Sequence, residues 1–217
     1  MRELVIIGAG GFGLEASLLV EEINEKSSSD QAWNLLGFID EATEKWNMKY
    51  RGYPVLGGWE ALARLPEDVS VICVVADPKI KRKMVEEAQG LGRPFATLIH
   101  PDVTIAKDVS VGKGVLINKG CLLTTSIKIG DYVLINPGCG IGHDAEIGSF
   151  TTMMWRVNIS GAVKVGEGCM VGTGVIILQG VVIGDCSTVG AGAVVTKDLP
   201  DNCTAFGVPA QVIKQNT

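Results

Sequence analysis

Counted in sixes from Ile105, the chain places an apolar residue at every step: Ile105, Val111, Ile117, Leu123 and onward to Val189 and Val195, sixteen positions without a slip, Met153 among them. The fourth residue after each is small or apolar too, from Val109 and Val115 to Ala193 and Leu199, and glycine often follows the repeated aliphatic, as at Gly130, Gly148 and Gly166. A period of six fits neither a helix of about 3.6 residues per turn nor the two-residue alternation of an isolated strand. It describes a coil that turns a corner at each repeat, the pattern of a hexapeptide parallel β-helix. The repeated aliphatics fill the axis, and no coil buries its own core, so each is stabilised by its neighbours.

The first hundred residues follow another rhythm. Glu3 to Ile7 is an apolar run. Gly8, Gly10 and Gly13 then complete G-x-G-x-x-G, within which Gly10-Gly11-Phe12-Gly13 leads into helical spacing from Leu14 to Glu25. Trp33 to Ile39 reads as a second strand ending at Asp40, Val69 to Val75 as a third and Phe95 to Ile99 as a fourth; Asp77 to Gly90 reads as a helix with Pro78 in its first turn. Strands alternating with helices predict a small Rossmann-like parallel sheet, an α/β domain over 1–100, followed by the coil domain over 101–217. A glycine turn between strand and helix lets backbone amides approach an anion. With about four strands, the domain suits one nucleotide diphosphate better than a dinucleotide, and Asp40 stands where a ribose ligand is expected.

Composition narrows the partners. A net charge of −5 without a basic block argues against nucleic acid. No run approaches the ~20 apolar residues of a membrane span, and the short opening run does not resemble a signal peptide, so a cytoplasmic protein is expected. Cys121, Cys139 and Cys169 fall on inward repeat positions and read as free thiols filling the core.

The coil stretch resembles the hexapeptide-repeat acyltransferases, whose helix is left-handed with eighteen residues per coil; residues 105 to 200 would make about five coils. The glycine-loop domain, Leu98-Ile99-His100-Pro101, the coils, Gly142-His143-Asp144 and Phe206-Gly207-Val208-Pro209-Ala210 together resemble the sialic acid O-acetyltransferase-like group, which includes bacterial N-acetyltransferases of nucleotide-linked 4-amino sugars. The resemblance implies that the first domain holds the nucleotide of the sugar substrate through Gly8, Gly10, Gly11, Phe12, Gly13 and Asp40. It also implies a homotrimer with acetyl-CoA between neighbouring subunits.

By the same resemblance His143 matches the general base and Asp144 the group that orients it. An unperturbed imidazole titrates near pH ~6.5, which suits a histidine to accept a proton from an attacking amine or hydroxyl. Neighbours on a strand point to opposite sides, so Asp144 reaches the ring only if a corner intervenes. Gly161, eighteen residues on, matches a backbone amide for the thioester oxyanion. Asn136 matches a family asparagine near the reacting groups, or is a corner residue. The C-terminal end resembles the coenzyme-covering segment: amides of Gly172 and Gly190 would meet the pantetheine, Lys197 and Lys214 would neutralise phosphates, and Gly207 and Pro209 belong to the same segment. No metal is expected.

Three departures bear on the acceptor. Phe12 replaces the histidine of a Gly-Gly-His-Gly loop, Thr152 a second histidine nine residues after the base, and Met153-Met154-Trp155-Arg156 an Asn-Pro-Gly type of repeat. Met154 and Trp155 fall off the inward frame and should stand out, at a subunit interface, an acceptor pocket or a packing contact. The preferred activity is N-acetylation of a nucleotide-linked amino sugar. O-acetylation of a sialic acid or related hydroxyl is the alternative within the enzyme class. A non-catalytic nucleotide-binding or scaffold trimer is the alternative outside it, and a zinc enzyme on the same helix would need more histidines than the two present.

Overall fold

The computed structural model describes residues 1–28 and 32–215, which divide into two compact units, Met1–Pro101 and Asp102–Thr217. Among the described residues no helix is long and apolar enough to cross a membrane.

The first unit runs β1 (Arg2–Ile7), α1 (Gly11–Lys26), β2 (Trp33–Ile39), a single 3-10 turn at Thr43–Lys45, β3 (Lys49–Tyr50), β4 (Tyr53–Gly57), α2 (Trp59–Ala63), β5 (Ser70–Cys73), α3 (Pro78–Gly90) and β6 (Leu98–Ile99). The sheet order is β3-β4-β2-β1-β5, parallel except for the β3–β4 hairpin. Its central strands are apolar on both faces, as a parallel sheet covered by helices requires. Leu4, Val5, Ile6, Phe38, Val71 and Ile72 are all fully buried. Asp77 caps α3 by accepting the N–H groups of Lys79 and Ile80 at 2.9 Å each, with Pro78 in the first turn where its missing N–H costs nothing.

Two features differ from the sequence expectation. The fourth strand shrinks to one parallel pairing of Phe95 with Val71 on the outer edge of β5, followed by the two-residue β6. The β3–β4 hairpin and α2 occupy a stretch in which no element was expected.

The described residues 102–215 contain fifteen two-residue strands, from Ser110–Val111 to Val194–Val195, each ending on a repeated apolar residue. Each of the first twelve pairs in parallel with the strand eighteen residues on, as Lys128 does with Glu146, so three faces wind through five coils of a left-handed parallel β-helix. Ile105, counted as the first position of the frame, forms no strand and is half-buried; the ladder begins at Ser110. Both inward sets are buried from Val115 to Leu199.

The corners have their own period. Every sixth residue from Gly114 to Gly192 has positive φ; seven are glycines, and the other seven are Ser126, Tyr132, Asp144, Phe150, Arg156, Ala162 and Cys186. A left-handed conformation costs an L-residue about 1–2 kcal/mol. It is sustained because it turns the next residue, such as Val133, Ala145 or Val157, into the core, where each is fully buried. A hairpin, Cys203–Gly207 with Ala210–Gln215, continues one face past the last coil through Thr188–Thr204 and Val189–Ala205 pairings. The cysteines are free thiols, five of them buried, and burial pushes the Cys169 thiol up to about 12.

Candidate active site

His143 and Asp144 lie at the corner between strands Gly140–Ile141 and Glu146–Ile147. Asp144 has φ +59°, so the chain turns there and the two consecutive side chains both project outward. His143 Nδ1 sits 2.8 Å from Asp144 Oδ2, with the side chains 54% and 62% exposed. A carboxylate can only accept, so Nδ1 carries the proton in this contact and Nε2 keeps a lone pair. In that tautomer Nε2 is the ring atom able to accept a proton. The other histidine, His100, is buried with its Nε2 3.4 Å from Glu22 Oε2, which leaves His143 as the exposed imidazole of the chain.

Gly161 lies directly beneath the ring. A Cβ built there would fall 2.6 Å from His143 Cε1, 2.9 Å from Cδ2, and closer still to Nε2. The absent side chain is what lets the imidazole lie against the next coil. Among the described residues the Gly161 N–H has no hydrogen-bond partner, while its carbonyl accepts from Gly180 N at 3.0 Å.

Asn136 does not join this pair. It is 2% exposed, and its Nδ2 donates to Met153 O at 3.0 Å, so the amide ties one coil to the next instead of facing a reactant. It is not a positive-φ corner residue either. Trp155 stands out from the coil at 43% exposure, whereas Met154 is half-buried, its Sδ 3.9 Å from Asn136 Nδ2.

In the first unit the glycine loop borders a cavity of about 310 Å³ lined by Gly8, Gly10, Gly11, Phe12, Gly13, Asp40, Lys45 and residues of the β5–α3 connection. Gly8 has φ +108°, and a Cβ on Gly13 would clash with Gly8 O, so both glycines are needed to draw the start of α1 against the turn. Cβ atoms on Gly10 or Gly11 would meet nothing within 4 Å, which leaves the loop open towards the cavity. Asp40 Oδ2 accepts from Ala9 N at 2.8 Å and Lys45 Nζ at 2.9 Å, and Oδ1 from Ala42 N at 3.0 Å. Partial burial opposes its charge, but the Lys45 ammonium and the two amides outweigh it and hold the carboxyl below the usual range. Lys45, which the sequence reading passed over, thus brings a cation to the glycine loop. Its signal was only a lysine five residues after the strand end.

The predicted coenzyme residues are a mixed set. The N–H groups of Gly172 and Gly190 already donate to Val189 O and Ala205 O at 2.8 and 2.9 Å, so neither is available to a pantetheine. Coil stacking consumes the donors, and the Phe206 ring occupies the space over Gly190. Gly207 and Pro209 form the tip of the C-terminal hairpin. Lys197 and Lys214 are exposed, and among the described residues neither ammonium makes an ion pair. A groove of about 350 Å³ that the sequence did not suggest runs up the face following the His143 corner, past Gly130, Gly148, Gly166 and Gly184, beside Lys128 and Lys164. Glu146 stands between these lysines, at 3.4 and 3.7 Å.

Two families match the chain: the PglD N-terminal domain over residues 3–88 and the bacterial transferase hexapeptide (six repeats) over residues 162–197. Several solved structures are similar over its whole length. PerB from Caulobacter crescentus, in complex with CoA and GDP-perosamine, is 29% identical with a TM-score of 0.86, covering 99% of this chain and 98% of its own. The acetyltransferase domain of PglB from Neisseria gonorrhoeae, in complex with acetyl coenzyme A, is 29% identical with a TM-score of 0.84, covering 98% and 99%. WeeI from Acinetobacter baumannii is 28% identical with a TM-score of 0.87, covering 98% and 100%. No curated protein matches. The chain thus matches a PglD-type N-terminal domain followed by bacterial transferase hexapeptide repeats, and over its whole length it is similar to solved acetyltransferases.

Proposed function

We propose that this protein transfers the acetyl group of acetyl-CoA to the amino group of a nucleotide-linked amino sugar, with His143 as general base. The observation that carries the reading is the corner dyad: an exposed imidazole whose Nδ1 is tied to Asp144 at 2.8 Å, leaving Nε2 to accept a proton. PerB binds CoA and GDP-perosamine, and the PglB domain binds acetyl-CoA, which favours an amine acceptor and an acetyl donor here.

The chemistry follows from those atoms. The amine nitrogen attacks the thioester carbonyl carbon while His143 Nε2 takes its proton. The oxyanion that develops needs a donor, and the Gly161 N–H, left over by the coil ladder beside the ring, is the one assigned to it. The C–S bond then breaks, and the thiolate recovers a proton as the amide product forms. Asp144 holds the ring in one tautomer and stabilises the imidazolium.

A homotrimer and a cytoplasmic setting belong to the same proposal. One face of the coil presents Leu122, Gly140, Asn158, Ile176 and Val194, all uncharged, with Leu122 68% exposed; the next face carries Lys128, Glu146 and Lys164. The His143 corner divides the two. Packing the uncharged face against a second copy would bring a neighbouring wall beside the imidazole. Lys197 and Lys214, with the Gly207–Pro209 tip, are the proposed coenzyme contacts, and the glycine-loop cavity the proposed diphosphate site.

The test is coenzyme release measured against a panel of nucleotide-linked sugars bearing either an amine or a hydroxyl at the same carbon. Release with the amino sugars alone supports N-transfer. Turnover only of the hydroxyl compounds, or of neither series, would reject it.

A further inference from the structure

The unit that carries the glycine loop has a second cavity, of about 410 Å³, whose lining includes Glu41, Trp46, Leu56, Gly58, Trp59 and Arg64. The two cavities share one wall, the segment 40–46. Asp40 and Lys45 line the glycine-loop cavity, while their chain neighbours Glu41 and Trp46 line the second. Asp40 and Glu41, like Lys45 and Trp46, are bonded neighbours, so a single stretch of chain borders both cavities.

Trp46 is held in place from two sides. Its Nε1–H donates to Asp40 O at 2.8 Å. Its ring lies over Gly58, where a Cβ would stand 3.3 Å from Cζ2. The one polar atom of the indole is therefore satisfied, yet the side chain stays 41% exposed. What remains open is aromatic surface, unfavourable in water and suited to stacking against a flat ligand. Glu41 is fixed as well: Oε1 accepts from Trp59 N at 2.8 Å, which leaves Oε2 to receive an N–H or hydroxyl donor.

We propose that the second cavity is the nucleobase subsite of the sugar nucleotide, with Trp46 as its stacking platform and the 40–46 wall under the ribose. This rests on reading the glycine-loop cavity as the diphosphate site. It adds a specificity-determining residue that lies outside the loop and outside the dyad. Stacking tolerates any base, and the free oxygen of Glu41 favours bases that offer a ring N–H.

Calorimetry on the full chain tests it, with GDP, UDP, dTDP and inorganic pyrophosphate as ligands. The wild type should bind at least one nucleotide more tightly than pyrophosphate. Base–aromatic stacking of about 1–3 kcal/mol predicts that Trp46→Ala loses roughly 5- to 150-fold in nucleotide affinity with pyrophosphate affinity unchanged. Trp46→Phe should recover most of the loss. Trp46→Leu keeps an apolar filler without a π face and should behave like the alanine variant, which covers the case in which alanine does not fold. Nucleotide affinity within twofold of wild type in Trp46→Leu or Trp46→Ala overturns the proposal. A wild type that binds neither the nucleotides nor pyrophosphate overturns the diphosphate reading instead, and the base subsite with it.

Discussion

Gly161→Ala separates the two roles that meet at the corner. The added methyl would lie 2.6 Å from His143 Cε1 and closer to Nε2. Ordinary contact is roughly 3.5 Å, so the ring must retreat by about 1 Å or swing out. Either movement strains or breaks the 2.8 Å contact between Nδ1 and Asp144. The backbone tolerates the change, since Gly161 does not have positive φ. The side chain that must move is 54% exposed, so folding should lose little. Less chain entropy in the unfolded state offsets that loss by about 0.4–1 kcal/mol. A general base displaced by about 1 Å costs on the order of 10²-fold in rate. The variant keeps its backbone N–H, so a fall in turnover reports on the ring and not on the oxyanion donor. The assay is thiol release at saturating substrates beside a thermal melt. Turnover within about threefold of wild type at an unchanged melting midpoint would refute the reasoning.

Two further predictions concern stability. Ile135 is fully buried on the coil axis, and Ile135→Ala should cost about 2–5 kcal/mol in urea unfolding. Lys164→Ala, on the exposed wall, should stay within about 0.5 kcal/mol; equal effects would contradict an axis stabilised by stacking. Burial pushes the Lys81 ammonium down to about 7, with Cys73 and Asp77 opposing it. Between that value and the ordinary 10.5 the unfolded chain binds a proton that the folded chain does not, so stability rises with pH across this window and levels off below it. The Cys73 thiol, pushed up to about 11 by burial, acts oppositely above its ordinary 9.0. The clean range is therefore about pH 7 to 8.5, where the wild-type unfolding free energy should climb by up to about 1.4 kcal/mol per unit and that of Lys81→Met should stay flatter. Parallel profiles for the two proteins would count against a buried neutral lysine.

The coil was legible because its period is imposed by packing: each inward position faces the same axis, so the sequence repeats what the geometry repeats. Ile105 fits the pattern by type but has no strand to pair with below it. The corners were harder to see. Tyr132, Phe150 and Arg156 adopt positive φ although nothing in their chemistry advertises it. The corner at Asp144 is what lets the dyad form, and the sequence supplied the pair without the turn. Asn136, Gly172 and Gly190 were read from motif position, which carries no record of hydrogen bonds already spent between coils. The β3–β4 hairpin escaped because Tyr53-Pro54-Val55-Leu56-Gly57 is short and carries a proline at its second position, a pattern that reads as loop until an edge position is known. Trp46 lay inside that unread stretch.

The most direct measurement is the single-turnover rate of acetyl transfer by His143→Ala, with acetyl-CoA affinity determined on the same preparation. The account predicts a rate lower by about 10²- to 10⁴-fold with coenzyme affinity unchanged. Transfer at close to the wild-type rate would contradict it.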